Sequence, residues 1–422
     1  MSLIAKRYYS GFPRAHDTYN ALSAASDGKV YYILSSDSIE QGGQMYAFDP
    51  ASGQSVHIGD LTEICGEKNG AAVPQGKSHV RFFETGGKLY FSTHVGYYQL
   101  IDGMDRLPVS APEGYALYPG GHILSYDLAG GGFERLALLP DGEGMVSMTM
   151  DTDRKQIYGI SWPTGQFIHF NVVTGELKNL GKISGNGEAG TPGTDFRTLC
   201  RSLVVDPGDG TVYFSVAEGD ILTYHPDRGT LETLADVDLR LDYFGKYDAT
   251  RPGSMGYNWR KIFWYEKENV AIGVHGNSGY LFRFDPVAKR VEIIDRITSL
   301  PSKKSGMFDQ FSYGYLGFKL GPDGETLYYL TGGPVFREGK RVKGAGEIAK
   351  GAAKGLENLH LITFHLPSGT YTDHGTVQYE DGGIPTYVNS IAIGSDNRIY
   401  TLARFEQDGK IIEDLIAFPN PL

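Results

Sequence analysis

An all-β ring of seven four-stranded blades, a β-propeller, is what this sequence predicts, on three grounds. A short apolar strand containing Tyr or Val recurs seven times at intervals of roughly 55 to 70 residues, almost always after a Gly, Asp or Asn turn. No long window carries the 3.6-residue helical period. Finally, 57 Gly and 12% aromatic residues in 422 suit many short strands and tight turns.

The recurring strands, each the second of its blade, are Val30-Tyr31-Tyr32-Ile33, Leu89-Tyr90-Phe91, Ile157-Tyr158-Gly159-Ile160, Val212-Tyr213-Phe214, Val270-Ala271-Ile272, Leu327-Tyr328-Tyr329-Leu330 and Ile399-Tyr400-Thr401-Leu402. Each leads into a third strand, and often into a hairpin turn before a more polar fourth strand. Asp49-Pro50-Ala51-Ser52-Gly53, Asn171-Val172-Val173-Thr174-Gly175, His225-Pro226-Asp227-Arg228-Gly229, Asp285-Pro286 and His365-Leu366-Pro367-Ser368-Gly369 are such turns. Pro presets φ and Gly accepts positive φ. The last repeat runs out after its third strand, Ile411 to Phe418, while a spare strand-like segment, Leu3 to Tyr9, precedes the first. The N-terminal strand is therefore expected to complete the last blade and close the ring, removing an open sheet edge. One domain spanning residues 1–422 is expected, with long insertions at about 94–122 and 333–358 between second and third strands.

A net charge of −11 argues against a nucleic-acid binder, whose affinity rests on neutralising phosphates. Two cysteines, Cys65 and Cys200, are too few for a disulfide framework and leave the compartment open. No apolar run approaches the ~20 residues that span a bilayer, and the first residues lack the apolar core of a secretory signal. The sequence thus leaves two locations, cytoplasmic, or extracellular or periplasmic if a signal was trimmed.

In a propeller, the start of the innermost strand and the end of the second strand rim the same mouth of the central funnel. Counting ten or eleven positions back from each second strand gives Asn20, His79, Ser147, Arg201, Arg260, Leu316 beside Tyr315, and Asn389. Counting five positions on gives Ser35, His94, Trp162, Ala217, His275, Gly332 and Arg404. A rim needs only small or apolar residues for its structure, so this concentration of His, Arg, Asn and Trp marks a candidate site. His79 and His94 flank the turn at Thr85-Gly86-Gly87 symmetrically and are expected side by side across paired strands. Two imidazoles there suit proton transfer near neutral pH.

The insertions lie over the same mouth. One carries Tyr97, Tyr98, Tyr115 and Tyr118; the other carries Arg337, Lys340, Arg341, Lys343, Lys350 and Lys354. Aromatic rings stack on pyranose faces and cations steer anions, so an acidic plant or algal glycan is the expected partner. A solvated loop or a short helix from Glu347 to Leu356 is the plainer account of the basic stretch. For Trp162, a core-capping role competes with a sugar-stacking platform, and Cys200 reads as inert packing.

Glycoside hydrolysis wants two facing carboxylates, which this register does not supply. Elimination from a 4-linked uronate fits better: cations or amides neutralise the carboxylate, a base takes the C5 proton and an acid protonates the departing O4.

The His pair within one blade, the Arg opening a later blade and the Asn before the next resemble the β-propeller polysaccharide lyases of the rhamnose–glucuronate type. Ulvan and oligogalacturonate lyases are more distant relatives of that group. The resemblance implies β-elimination giving a 4,5-unsaturated uronate, with His94 as base and acid, His79 as its partner, and Arg201 with Asn258 holding the glucuronate carboxylate. Arg260, Trp162, His275, Arg197, Tyr115, Tyr118, Asn20, Asn389 and Arg404 would complete the substrate site. The His spacing is shorter than in that group, and Ser147 and Trp162 stand where ulvan lyases carry a Tyr; Tyr115, Tyr118 or Tyr257 would substitute. The resemblance requires no cofactor, although the oligogalacturonate subgroup implies a divalent metal for which His79, His94 and His275 would be ligands. Two other readings compete: a non-catalytic propeller binding an acidic glycan or a protein, and a metal-dependent lactonase or hydrolase, which the lack of acidic ligands at the rim disfavours.

Overall fold

The computed structural model describes residues 2–67, 72–101, 103–244, 247–250, 255–276, 278–305, 317–334, 336–337, 340–341, 357–407 and 409–422. They form an all-β protein of four-stranded antiparallel sheets, the arrangement of propeller blades. Two compact units are distinguished: residues 1–36, 43–59 and 296–422, and residues 37–42 and 60–295.

The second unit contains four such sheets, each ordered from inner to outer strand as the chain runs. The first has Phe83–Thr85, Lys88–Ser92, His122–Asp127 and Phe133–Leu138. Gly144–Asp151, Gln156–Trp162, Gln166–Asn171 and Leu177–Lys182 follow. The third has Val204–Val205, Val212–Ser215, Asp220–His225 and Thr230–Asp238. The fourth has Trp259–Tyr265, Val270–His275, Tyr280–Asp285 and Arg290–Arg296. Aromatic rings fill the space between sheets: Phe167 stacks on Phe214 with centroids 4.9 Å apart, and Tyr224 lies 5.0 Å from Phe167.

In the first unit, Leu22–Ala24, Val30–Leu34, Gln44–Asp49 and Gln54–Asp60 make one four-stranded sheet. Its burial grades outward. Every residue of Val30–Leu34 is buried, whereas Gln54–Asp60 is half-buried or exposed throughout. That gradient explains why the second strands are the most apolar and were the ones to stand out in the sequence.

The remaining strands of this unit form one eight-stranded sheet. Phe318–Leu320, Thr326–Pro334, Glu357–His365 and Thr370–Tyr379 make one half; Ala392–Ile393, Arg398–Gln407 and Lys410–Pro419 belong to the other. Leu3–Tyr8 supplies the missing fourth strand. Lys6, Arg7 and Tyr8 pair antiparallel with Ala417, Ile416 and Leu415, as the sequence predicts. The same strand also pairs in parallel with Thr370–Tyr379 through Leu3–Val377, Ile4–Gln378 and Ala5–Tyr379, an addition that fuses the two halves.

All seven second strands are where the repeat put them, and the 94–122 insertion does connect a second strand to a third. Of the other insertion, only Phe336–Arg337 pairing with Lys340–Arg341 is described. Lys343, Lys350, Lys354, the expected helix from Glu347 to Leu356, and the rim positions Tyr315 and Leu316 lie outside the described residues. No helix among those described is long and apolar enough to cross a membrane.

Candidate functional site

In the second unit the sequence-predicted imidazoles meet. The rings of His79 and His94 have centroids 4.5 Å apart at 54°. The route differs from the one expected. Gly86 and Gly87, at φ +59° and +73°, make a two-residue turn that pairs Thr85 with Lys88 and Phe83 with Tyr90. The inner strand then leaves this ladder, and a separate pairing through an irregular register sets Lys77, not His79, opposite His94. An extra residue between Gln75 and Lys77 breaks the alternation, as β-bulges do where a side chain is re-aimed. Similar shifts occur between Met145 and Ser147 and between Trp259 and Lys261, both near the predicted rim.

His94 is 1% exposed. Its Nδ1 donates to the Val95 carbonyl at 2.9 Å, which fixes the proton on Nδ1 and leaves Nε2 with its lone pair. That Nε2 is buried and has no hydrogen-bond partner among the described residues. Burial, then Lys77 and Arg201, hold His94 well below the usual histidine range. His79, only half-buried, is held low by desolvation first, then by His94, Lys77, Arg201 and Arg260. Two neutral imidazoles therefore sit in a field of cations.

Trp162 backs this pair. Its ring is 5.2 Å from His94, Tyr98 meets it edge-on at 5.6 Å, and its Nε1 donates to Glu188 at 2.9 Å. Being 7% exposed, it presents no open face for a sugar, so the core-capping role is the one observed. Tyr98 in turn lies 4.5 Å beneath the Lys77 ammonium.

Arg201 is committed to an acid that the register did not foresee. It donates to Glu188 at 2.6 Å and to the Leu199 carbonyl at 2.9 Å, and both charged side chains are mostly buried. Glu188 also accepts the Leu199 amide at 3.0 Å, so one carboxylate ties together Trp162, Leu199 and Arg201. Arg197 is bound likewise to Glu218. Asn258 is fully buried with both ends of its amide used: it donates to the Thr198 carbonyl at 2.9 Å and accepts from Ser215 at 2.8 Å. It braces two segments and, being fully buried, presents no open face to a carboxylate. Arg260 is 7% exposed and approaches the Met255 sulfur at 3.1 Å.

His275 does not join the pair as a metal ligand. Its ring stacks on Phe244 at 4.2 Å, its Nδ1 bonds the Ser278 hydroxyl at 2.7 Å, and burial pushes it down to about 3. Among the described residues no group of three or more His, Cys, Asp or Glu side chains is arranged to hold a metal ion. Tyr118 is buried and donates to Gln75 at 2.7 Å, with desolvation raising its hydroxyl well above the usual range, which does not suit a general acid. Tyr115 is half-buried in the insertion. Cys200 is buried against the Ser202 carbonyl, as inert packing requires.

The first unit gathers Asn389, Arg404 and Asp17. Arg404 bonds Glu413 at 2.6 Å and Asp17 at 3.1 Å, and lies 4.7 Å over the Tyr387 ring. Asn389 donates to the Thr18 carbonyl at 2.7 Å, while the half-buried Asn20 offers its carbonyl to the Leu22 amide. Arg404 and Asn389 thus tie together two loop segments in which Asp17 and Tyr387 respectively hold positive φ (62° and 55°), a conformation costly outside glycine.

Sequence reasoning missed Lys77 and Glu188. Lys77 was within reach, two residues before His79. Glu188 comes from a Gly-rich loop outside the strand register.

No known protein-family profile matches the chain, and no curated protein matches it. Among solved structures, a Bacteroides uniformis protein provisionally described as a 6-phosphogluconolactonase is similar at 11% identity, over 85% of each chain, with a TM-score of 0.46. TolB from Acinetobacter baumannii is similar at 11% identity, over 93% of this chain and 80% of that one, with a TM-score of 0.39. A chain of the mitotic checkpoint complex gives 10% identity, 97% and 89% coverage, and a TM-score of 0.49. At these values the likenesses carry no argument about activity. None of the three is a polysaccharide lyase.

Proposed function

We propose that the chain is a seven-bladed propeller whose last blade is completed by Leu3–Tyr8, and that its His79–His94 corner binds an acidic carbohydrate. The observation that carries this reading is the meeting of His79 and His94, rings 4.5 Å apart, in the field of Lys77, Arg201 and, at His79, Arg260. A carboxylate-bearing sugar suits that positive field, and its hydroxyls match imidazole donors and acceptors.

A second reading, catalytic, is favoured by the lone pair of His94 Nε2. A base kept neutral beside cations can take the C5 proton of a 4-linked glucuronate, while the cations stabilise the resulting enolate. The expulsion of O4 then leaves a 4,5-unsaturated uronate. The proton that His94 has taken passes to the leaving oxygen, with His79, partly open to solvent, as its relay. A metal-dependent hydrolase is the weaker alternative, given the donor set among the described residues.

Calorimetric titration with glucuronate oligosaccharides and their neutral methyl esters tests the binding reading, and ultraviolet absorbance of the same mixtures tests elimination. Binding of the acids alone, weakened about tenfold or more by Lys77→Met, supports the first. Equal affinity for acids and esters overturns it. Binding without any rise in absorbance rejects the lyase reading and leaves a binding propeller.

A further inference from the structure

His94 is 1% exposed, and its Nε2, without a hydrogen-bond partner among the described residues, is buried, so no sugar reaches that nitrogen in this conformation. A part of the unit must move aside, and the contacts around Trp162 identify it. Tyr98 meets the Trp162 ring edge-on at 5.6 Å, on the indole that itself lies 5.2 Å from His94. The Tyr98 hydroxyl donates to the Val95 carbonyl at 3.0 Å, and its ring lies 4.5 Å from the Lys77 ammonium. Tyr98 thus closes the corner from the side of the 94–122 insertion.

Immediately after Tyr98 the chain forms a small hairpin. Gln99–Ile101 pairs with Met104–Arg106 through Gln99–Arg106, Leu100–Asp105 and Ile101–Met104, so Tyr98 and Arg106 stand at the same end of it. Among the described residues these two strands join no blade sheet, and none of their residues is fully buried. A two-stranded ribbon of this kind has little stability of its own. Gln99 braces it locally, since its Nε2 donates to the Ser110 carbonyl at 2.7 Å and its Oε1 accepts the Val109 amide at 2.9 Å. Arg106 ties it to the neighbouring sheet. The guanidinium donates to the Glu188 carbonyl at 2.5 Å and to the Gly190 carbonyl at 3.0 Å. That anchor is firm: the Glu188 and Ala189 amides donate to the Pro163 carbonyl at 2.9 and 3.1 Å, and the Glu188 carboxylate holds Trp162 and Arg201. A weakly supported ribbon fastened through a guanidinium to a rigid loop is the kind of element that opens and shuts.

We infer that the hairpin of Gln99–Ile101 and Met104–Arg106, with Tyr98 at its base, is a lid on the His79–His94 corner, and that Arg106 is its latch. When Arg106 lets go of the two carbonyls, Tyr98 swings off Trp162 and His94 Nε2 is uncovered. What the lid admits is, on the reading proposed above, an acidic carbohydrate; its purpose rests on that reading and its geometry does not. Shut over a ligand, it keeps water away from the neutral imidazole.

The test needs no ligand. Diethyl pyrocarbonate modifies neutral imidazole nitrogens that it can reach, and peptide mass spectrometry of the full chain locates the modified histidines. His79, already half-open, is the internal reference. Arg106→Met, which keeps the length and removes the donors, is expected to speed modification of His94 about tenfold or more while His79 changes far less. Arg106→Lys, able to keep one of the two bonds, should fall between the wild type and Arg106→Met, and it carries the test should the methionine variant lose cooperative unfolding in urea. Equal His94 rates in the wild type and the variants overturn the lid, whether or not uronates bind. So does an equal acceleration at His79 and His94, which reports general loosening. Faster modification of His94 alone, with no binding of glucuronate oligosaccharides by the wild type, keeps the lid and sinks the carbohydrate reading.

Discussion

Gly144 lies directly against the imidazole of His94. A Cβ at this position would stand 2.9 Å from His94 Cγ, 3.0 Å from Cδ2 and 3.1 Å from Cα. Gly144 opens the inner strand of the neighbouring sheet, so the absence of a side chain there is what lets His94 occupy its seat beside Trp162.

Gly144→Ala is therefore expected to displace the His94 ring, because the backbone at His94 Cα limits how far the neighbour can give. Overpacking of this kind costs about 1–3 kcal/mol. Denaturant unfolding measures the cost, and the chemical shift of the His94 Cδ2 proton reports the displacement. Affinity for an acidic carbohydrate should fall with it. An unchanged shift would mean that His94 is not held by this contact.

Glu188→Gln removes the carboxylate that neutralises Arg201. Leaving a mostly buried guanidinium without its counter-charge is expected to cost on the order of 3 kcal/mol in unfolding free energy. The same change raises the local positive charge, so acidic ligands should bind more tightly while the protein becomes less stable. Opposite movements of the two quantities, read by calorimetry and by denaturation, are the expected outcome. A parallel fall in both would assign Glu188 a purely architectural part.

Acidification should destabilise the second unit. His79, His94, His169 and His275 are all held low chiefly by burial, the last two to about 4 and about 3. The unfolded chain protonates its imidazoles near pH 6.5. Below that pH it binds more protons than the folded state, so stability falls as pH drops from about 6.5. His275→Gln should lessen the slope of unfolding free energy against pH, measured in urea from pH 7 to 5.

Asp414 works in the opposite direction in the first unit. It is fully buried, accepts the Ser10 amide at 2.8 Å and the Ser10 hydroxyl at 2.6 Å, and desolvation pushes it up to about 6. An unfolded Asp holds its proton only up to about 3.9. Between these values the folded state binds the extra proton, so this contribution is fully present below about pH 4 and lost as pH rises through about 6. Asp414→Asn should flatten that component, read from the same pH series.

The second strands were legible because their burial on both faces selects Val, Ile, Leu and Tyr, and because turns such as Gly86-Gly87 leave a local mark. The N-terminal outer strand was legible by subtraction, since the last repeat was one strand short. Counting along strands also brought His79 and His94 together. It failed where the backbone stops counting evenly: the extra residues at Gln75/Lys77 and Trp259/Lys261 shift the register by one, and a one-residue slip moves every later side chain to the other face. It failed too for the charge partners. Arg201 and Arg197 read as open cations because Glu188 and Glu218 come from loops, whose positions no strand period encodes, whereas the Glu413 partner of Arg404 lies directly opposite it on the next strand. Asn258 read as a ligand group because its two amide partners, Thr198 and Ser215, lie far off in sequence.

The pairing of Lys6, Arg7 and Tyr8 with Ala417, Ile416 and Leu415 sets an order of events in the life of the chain. The two segments stand far apart in the chain, and closing so long a loop is entropically slow. During that interval Leu3–Tyr8 is an unpaired strand with exposed backbone donors, open to capture by another copy or by a chaperone. Assembly of this sheet thereby waits on its most distant contacts, and the quality of the folded product hinges on how long Leu3–Tyr8 stays unpaired.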